Sequence, residues 1–435
     1  MQGLLKAATR LRTEFAQVPL EVENLVDAGG EGEVYRVSMQ GNQYALKWYY
    51  PETAHRERLS ALKYLIQRGA PSERFVWPLD LVVSSESFGY VMPWRDKRFV
   101  SIADLLKRRV SSSFQTLTTA GYELAHNFYQ LHAAGLCYRD VSLGNLSFDP
   151  STGEISISDN DNVGVNNESI AFVGGTPGFM APEVVRGDAQ PSTDTDLFSL
   201  AVLLFYLLAQ DHPLNGEHEA RIHAFDLPAM KRLYGYEPVF IFDPNNNTNR
   251  PVVGIHDNAI AFWPVYPQSL RDLFTRSFTD GLFNPRRRVI ENEWRDELLH
   301  DRDTIFNCPQ CQATSFYDIE KMRTSTPHTC WHCHQVLGVP PRLRVGKRVV
   351  VLTPRTHLYL HHLDPSRAYD FGRPVVAIVQ HPRQTAVLGL KNLSQDTWVI
   401  TKADGSTQEV PPDRSATITD GLRVHFGKVS GEIRA

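Results

Sequence analysis

Three groups of residues in this chain combine types and spacings that can do chemistry. The first is Gly29-Gly30-Glu31-Gly32-Glu33-Val34, with Lys47 following at the end of an apolar strand. Glycine puts no Cβ between the backbone and the oxygens of a phosphate. Alone, the run reads equally well as a tight hairpin turn, and a lone lysine as a solvated surface residue. The second group is Asp140, Asn145 and the cluster Asp159-Asn160-Asp161, which follows the alternating run Ile155-Ser156-Ile157-Ser158. Carboxylate oxygens are the ligands that magnesium selects, although an Asp/Asn cluster also reads as a plain turn. The third is Cys308-x-x-Cys311, eighteen residues, then Cys330-x-x-Cys333. Two such knuckles supply four thiolates to a tetrahedral zinc ion and leave no open position, which points to a structural site. His328, His332 and His334 are nearby alternatives for a shell that four thiolates already fill. Cys137 stands alone and reads as a core residue.

The elements that must position these groups change character along the chain. Residues 1–92 read as a small, mostly β lobe, with strands over Leu20–Val37 and Gln43–Tyr50 and a helix over His55–Gln67 that places Leu59, Leu62, Leu65 and Ile66 on one face. Residues 93–300 read as a larger helical lobe, with helices over Phe114–His132 and Leu197–Leu208. The stretch Glu217–Pro267 contains the turn signal Asp243-Pro244-Asn245-Asn246-Asn247 and includes a surface loop. Residues 301–339 carry the paired cysteines. In residues 340–435 short β-rich runs recur (Arg348–Leu352, Leu358–His361, Val375–Gln380, Thr385–Leu390, Thr397–Lys402), a pattern that predicts a small all-β sandwich.

Taken in order, six motifs resemble a protein kinase of the eukaryotic-like (Hanks) type. They are the glycine run, Ala45-Leu46-Lys47, Tyr138-Arg139-Asp140 with Asn145, Asp159, Gly175-Thr176-Pro177 leading to Ala181-Pro182-Glu183, and Asp196. The resemblance implies an α+β, bilobal fold. It also implies that Val34 and Ala45 cover an adenine that contacts Met92-Pro93-Trp94 at the lobe connection. In such an enzyme Lys47 clamps the α- and β-phosphates of ATP, paired with a helix carboxylate, here Glu57 with Glu52 second. Asp140 orients the acceptor hydroxyl and takes its proton, and Asn145 and Asp159 hold Mg2+ or Mn2+, with Asp161 a further carboxylate for the cation. The run Gly175–Glu183 resembles the Ser/Thr version. By the same resemblance Thr176 bonds toward Asp140, Arg288 pairs with Glu183, and Asp196 accepts backbone N–H groups of the catalytic loop. Ser169 is the modification candidate. Three departures stand out: Tyr138 replaces the usual histidine, Asn160-Asp161 replaces Phe-Gly, and Ser142 replaces a lysine aimed at the γ-phosphate. The stretch Leu390-Lys391-Asn392-Leu393-Ser394 to Phe426-Gly427 resembles the second half of a forkhead-associated domain without its phosphothreonine-binding arginine motif.

Composition sets the outer bounds. The 435 residues are 42% hydrophobic and 22% charged, with a net charge of −4, which gives no electrostatic footprint for nucleic acid. No apolar run reaches the ~18 residues that span a bilayer. The start, Met1-Gln2-Gly3-Leu4-Leu5-Lys6, lacks the pattern of a signal peptide, and metal-type cysteine usage fits a reducing cytoplasm. The expected activity is ATP-dependent transfer to protein serine or threonine, with autophosphorylation. The arrangement is similar to bacterial kinases that accompany a metal-dependent protein phosphatase and a von Willebrand A protein of the tellurite-resistance type, which implies those partners beside protein substrates. The competing readings are a nucleotide-binding pseudokinase scaffold and a zinc-ribbon adaptor.

Overall fold

The computed structural model describes residues 3–166, 175–318, 328–364, 367, 369–384 and 386–435. The chain divides into one unit of Met1–Phe262 with Asp272–Arg295 and a second of Trp263–Arg271 with Asp296–Ala435.

The first unit opens with a six-stranded antiparallel sheet in the order β1-β2-β3-β4-β6-β5. The strands are β1 (Arg10–Arg12), β2 (Pro19–Ala28), β3 (Gly32–Met39), β4 (Asn42–Tyr49), β5 (Asp80–Val83) and β6 (Phe88–Pro93). The predicted strand Leu20–Val37 is therefore a hairpin, closed where the Gly29 N–H donates to the Gly32 carbonyl at 2.9 Å. Alternation along the strands sorts the side chains onto two faces. One face buries Val22, Val37, Leu46 and Trp48. The other buries Ala45, Tyr49, Tyr90 and Met92 against Leu62 of helix α1 (Arg56–Arg68). Helix α1 stops at Gly69, whose φ of 80° suits a residue without Cβ.

The remainder of this unit is mainly helical. The helix Phe114–Ala133 is capped by Ser113, whose Oγ accepts from Thr116 N. The helix Thr193–Ala209 starts at a Ser192–Thr195 capping box and is buried on nearly every side, so it carries no polar stripe. Asp196, inside its first turn, accepts from Tyr138 N at 2.6 Å and Arg139 N at 3.4 Å. Arg288 donates twice to Glu183, both at 2.8 Å. Each of these buried charges is thereby compensated. In the long connection Asp243 Oδ1 accepts from Asn245 N and Asn246 N, the turn that the sequence announces.

The second unit contains the hairpin Ile305–Asn307/Thr314–Phe316 and two further sheets. One has six strands, in the order Arg348–Val351, Arg342–Val345, Ser430–Arg434, Arg423–His425, Trp398–Thr401, Thr407–Val410. The other has four: His357–Tyr359, Pro374–Gln380, Leu388–Asn392, Ser415–Thr417. Leu343, Trp398, Ile400 and Val424 of the first share one buried cluster with Leu358, Val376, Ile378 and Leu390 of the second. Among the described residues no helix is long and apolar enough to cross a membrane.

Candidate active site and cysteine centre

Strand β4 delivers Lys47 opposite Val34 of β3 and Tyr90 of β6. Its Nζ lies 2.8 Å from Asp161 Oδ2, 3.2 Å from Asp159 Oδ1 and 3.5 Å from Glu31 Oε2. Asp161 lies in a single turn of 3-10 helix, Asn160–Asn162, that follows the short strand Ile155–Ile157, and Asp159 is the residue that precedes this turn. Asn160 is buried and pins this turn by donating to Val76 O and Ile157 O. Asp159 and Arg139 both hold left-handed backbones, at φ 55° and 69°. Such conformations cost free energy outside glycine and persist where the surroundings enforce them. Asp140 receives Asn162 Nδ2 at 3.5 Å, while Asn145 Nδ2 donates to the Asp140 carbonyl at 3.0 Å. The Asn145 amide nitrogen is thus committed, and the ligand atom it offers a cation is the oxygen. Tyr138 is buried and donates its hydroxyl to the Ser158 carbonyl, tying the segment that carries Asp140 to the strand before Asp159.

The site holds more negative charge than its cations offset. Burial, then Asp159, Glu31 and Asp161, push Asp140 up to about 6. Burial, with Asp161 adding, also raises Asp159 above the ordinary carboxylate value despite Lys47. Asp161 behaves oppositely: burial works against its charge, but Lys47 and the Tyr49 hydroxyl, 2.5 Å away, hold its pKa down. Burial alone would lower Lys47, and Asp161 followed by Asp159 keeps it raised. Residual charge on Asp140 and Asp159 is what a divalent cation would neutralise. Asp161 fits that role poorly, because its side chain is fully buried and one oxygen already serves Lys47 and Tyr49.

Several expectations need correction. Glu57 is exposed on α1 and, among the described residues, makes no ion pair with Lys47; Glu52 is exposed too. The next residue, Arg58, faces the site instead, 2.5 Å from Glu31 Oε1 and 4.8 Å from the centre of the Tyr49 ring. Thr176 is exposed and does not reach Asp140, whose carboxylate is met by Asn162. Ser169 lies outside the described residues. The glycines divide: a Cβ on Gly29 or Gly30 would meet nothing within 4 Å, whereas one on Gly32 would sit 2.2 Å from the Trp48 carbonyl oxygen. Gly32 is therefore demanded by the β3–β4 approach. Val34, Ala45, Met92 and Trp94 do share one apolar cluster.

Sequence reasoning passed over Glu31, Tyr49, Arg58 and Asn162. Period-2 alternation was sufficient to find Tyr49, which shares a face of β4 with Lys47. The others sit in turns or one helical position from the residue chosen, where no periodic signal separates them.

The cysteines converge. The four Sγ atoms lie within 4.8 Å of one another, with Cys308–Cys333 at 3.7 Å and Cys311–Cys330 at 3.6 Å. Tetrahedral zinc thiolates, with bonds of ~2.3 Å, put their sulfurs about 3.8 Å apart. The two knuckles repeat one backbone design. Cys308 N donates to Ala313 O and Gln312 N to Cys308 O, and Cys330 N donates to Gln335 O and His334 N to Cys330 O. Gln312 and His334 both take positive φ, 62° and 60°, so that each chain turns back after its second cysteine. N–H groups of Cys311 and Gln310 point at Cys308 Sγ and lower its pKa toward the thiolate. The donor set and spacing fit a zinc ion, which would be held by Cys308, Cys311, Cys330 and Cys333.

Comparison with known proteins accords with this geometry. Protein kinase C delta type of Rattus norvegicus is 36% identical over 93 residues, 20% of this chain and 13% of that protein. Protein kinase MCK1 of Saccharomyces cerevisiae is 30% identical over 201 residues, 41% and 50%. CBL-interacting serine/threonine-protein kinase 2 of Arabidopsis thaliana is 26% identical over 163 residues, 30% and 33%. The chain thus spans half or less of the length of these relatives. The family described as "Protein kinase domain" matches residues 20–278, more than half of the 435. The chain belongs to the protein kinase domain family.

Proposed function

We propose that the chain is a protein serine/threonine kinase that transfers the γ-phosphoryl group of ATP to a protein hydroxyl. The observation that carries this reading is the meeting of Lys47 Nζ with Asp159 at 3.2 Å across 112 residues of sequence, beside Asp140 and Asn145. Gly29 and Gly30 open the backbone toward the phosphates, and Lys47 meets their negative charge. Asn145 and Asp159 would hold Mg2+ or Mn2+. Held there, the cation would supply positive charge to the phosphate oxygens. Asp140 accepts the acceptor hydroxyl's proton as its oxygen bonds to phosphorus. A value near 6 makes it a better base than an ordinary carboxylate while leaving it ionised at neutral pH. Val34, Ala45, Met92 and Trp94 form the apolar surface for adenine.

Ser142 supports a second reading, a nucleotide-binding pseudokinase scaffold, because it stands where the family's lysine would aim a positive charge at the transferring phosphate. Losing one such group costs about 3 kcal/mol of transition-state stabilisation. Radiolabelled ATP with magnesium separates the two. Label on the protein or a generic substrate, abolished by Asp140→Asn, establishes transfer; no label from wild type, or equal label from both, rejects it.

The finer assignments belong to the same reading. They are a kinase lobe pair over 1–92 and 93–300, a zinc ribbon over 301–339, and a forkhead-associated-like β-sandwich over 340–435. Autophosphorylation, a cytoplasmic setting, and a bacterial system with a phosphatase and a von Willebrand A partner complete it. The strand order and shared core of the two C-terminal sheets support the sandwich.

A further inference from the structure

Lys47 has a partner that the ordinary plan of such a site does not supply. Helix α1 offers Glu57 to solvent and Arg58 to Glu31. Asp161 meets Lys47 instead, at 2.8 Å, with its side chain fully buried and the Tyr49 hydroxyl on the same oxygen at 2.5 Å. Tyr90 Oη and Asp161 Oδ1 are also buried, without a partner in hydrogen-bonding geometry, so the carboxylate sits among phenols. Glu31 is the outer carboxylate, 39% exposed and shared between Lys47 and Arg58.

We propose that Asp161 is the positioning residue for Lys47, standing in for a helix carboxylate, and that it is not a magnesium ligand. Lys47 is then aimed by the segment that also carries Asp159, so one turn sets both the phosphate-binding cation and the metal-binding carboxylate. Tyr49 holds the carboxylate from β4, and Asn160 anchors the turn. Glu31 is the exchangeable partner, which phosphate oxygens displace from Lys47. The inference deepens the kinase reading and rests on it.

Binding of ADP to the full chain, measured by calorimetry with Mg2+ and again in EDTA, tests it without catalysis. A residue that aims Lys47 at phosphate matters whether or not metal is present. Asp161→Asn is expected to weaken ADP roughly tenfold or more in both conditions, the scale of a lost charge-assisted hydrogen bond, and to preserve the ratio between them. Tyr49→Phe should weaken ADP less, in both conditions, and reports on the carboxylate even where Asp161→Asn does not fold. Asp159→Asn should lose affinity with Mg2+ alone. Glu57→Gln should bind as wild type. Loss in Asp161→Asn confined to the magnesium condition makes it a metal ligand and overturns the proposal. So does wild-type ADP binding in EDTA by Tyr49→Phe, or a loss in Glu57→Gln matching that of Asp161→Asn. A wild type that binds adenine nucleotide in neither condition removes the kinase reading as well, which tells the two failures apart.

Discussion

Asp140 shows how much of a residue's chemistry is set by its neighbours. Burial disfavours its charged form, and Asp159, then Glu31 and Asp161, add repulsion, so it is pushed up to about 6. In the proposed role of proton acceptor it works ionised, so turnover should fall as pH drops through that value, and a bound cation would move the limb lower. A kcat profile between pH 5 and 8 should show one acidic limb at or below about 6, and a limb above 7 excludes Asp140 as the base. His132 titrates to a different end. Burial alone would lower it, but Asp196 Oδ2 at 3.1 Å and Glu291 on the other ring nitrogen raise it to about 9. Its folded-state pKa lies above the unfolded ~6.5, so its stabilisation is complete below about 6.5 and is lost as pH rises through about 9. Denaturant titrations at pH 6.5 and 9.5 should differ by on the order of 2–3 kcal/mol in wild type and by much less in His132→Gln. The chemistry-bearing positions were legible because their types are rare at such spacings, whereas the Lys47 partner was not. Glu57 and Arg58 are one residue apart on α1, about 100° around the helix, and sequence alone leaves its rotation free.

At the scale of elements, strongly patterned segments were readable and weakly patterned ones were not. The buried helix announced itself through its long apolar run, Leu197–Leu208, interrupted only by Ser199 and Tyr206, and forms over Thr193–Ala209. In the second unit the strands Pro374–Gln380 and Trp398–Thr401 match their predicted runs closely. Arg342–Val345, Thr407–Val410, Ser415–Thr417, Arg423–His425 and Ser430–Arg434 were missed. Thr407–Val410 explains why: three of its four residues are exposed, so it is held by pairing with Trp398–Thr401 and not by an apolar stripe. Burial also sets the expected cost of mutation. Leu204, wholly buried in the Thr193–Ala209 helix, should cost about 2–5 kcal/mol when replaced by alanine, read as a lower denaturant midpoint with an unchanged slope. An effect under 0.5 kcal/mol would mean that this helix is not part of the cooperative core.

For the molecule as a whole, the kinase family accounts for residues 20–278, and the cysteine centre lies beyond that match. Metal-replete protein should contain about one zinc per chain, and Cys330→Ser should lose it along with thermal stability, since a closed thiolate site contributes directly to folding. Elemental analysis below ~0.5 equivalents in wild type contradicts the assignment. The three loop glycines look interchangeable on the page of the sequence, yet only Gly32 has a carbonyl oxygen where its side chain would go. A library of variants scored by cellular abundance should therefore report Gly32→Ala as deleterious and pass Gly29→Ala and Gly30→Ala as silent. The same library scored for phosphate-dependent output should flag all three, and the gap between the two maps would delineate the nucleotide pocket without any ligand being seen.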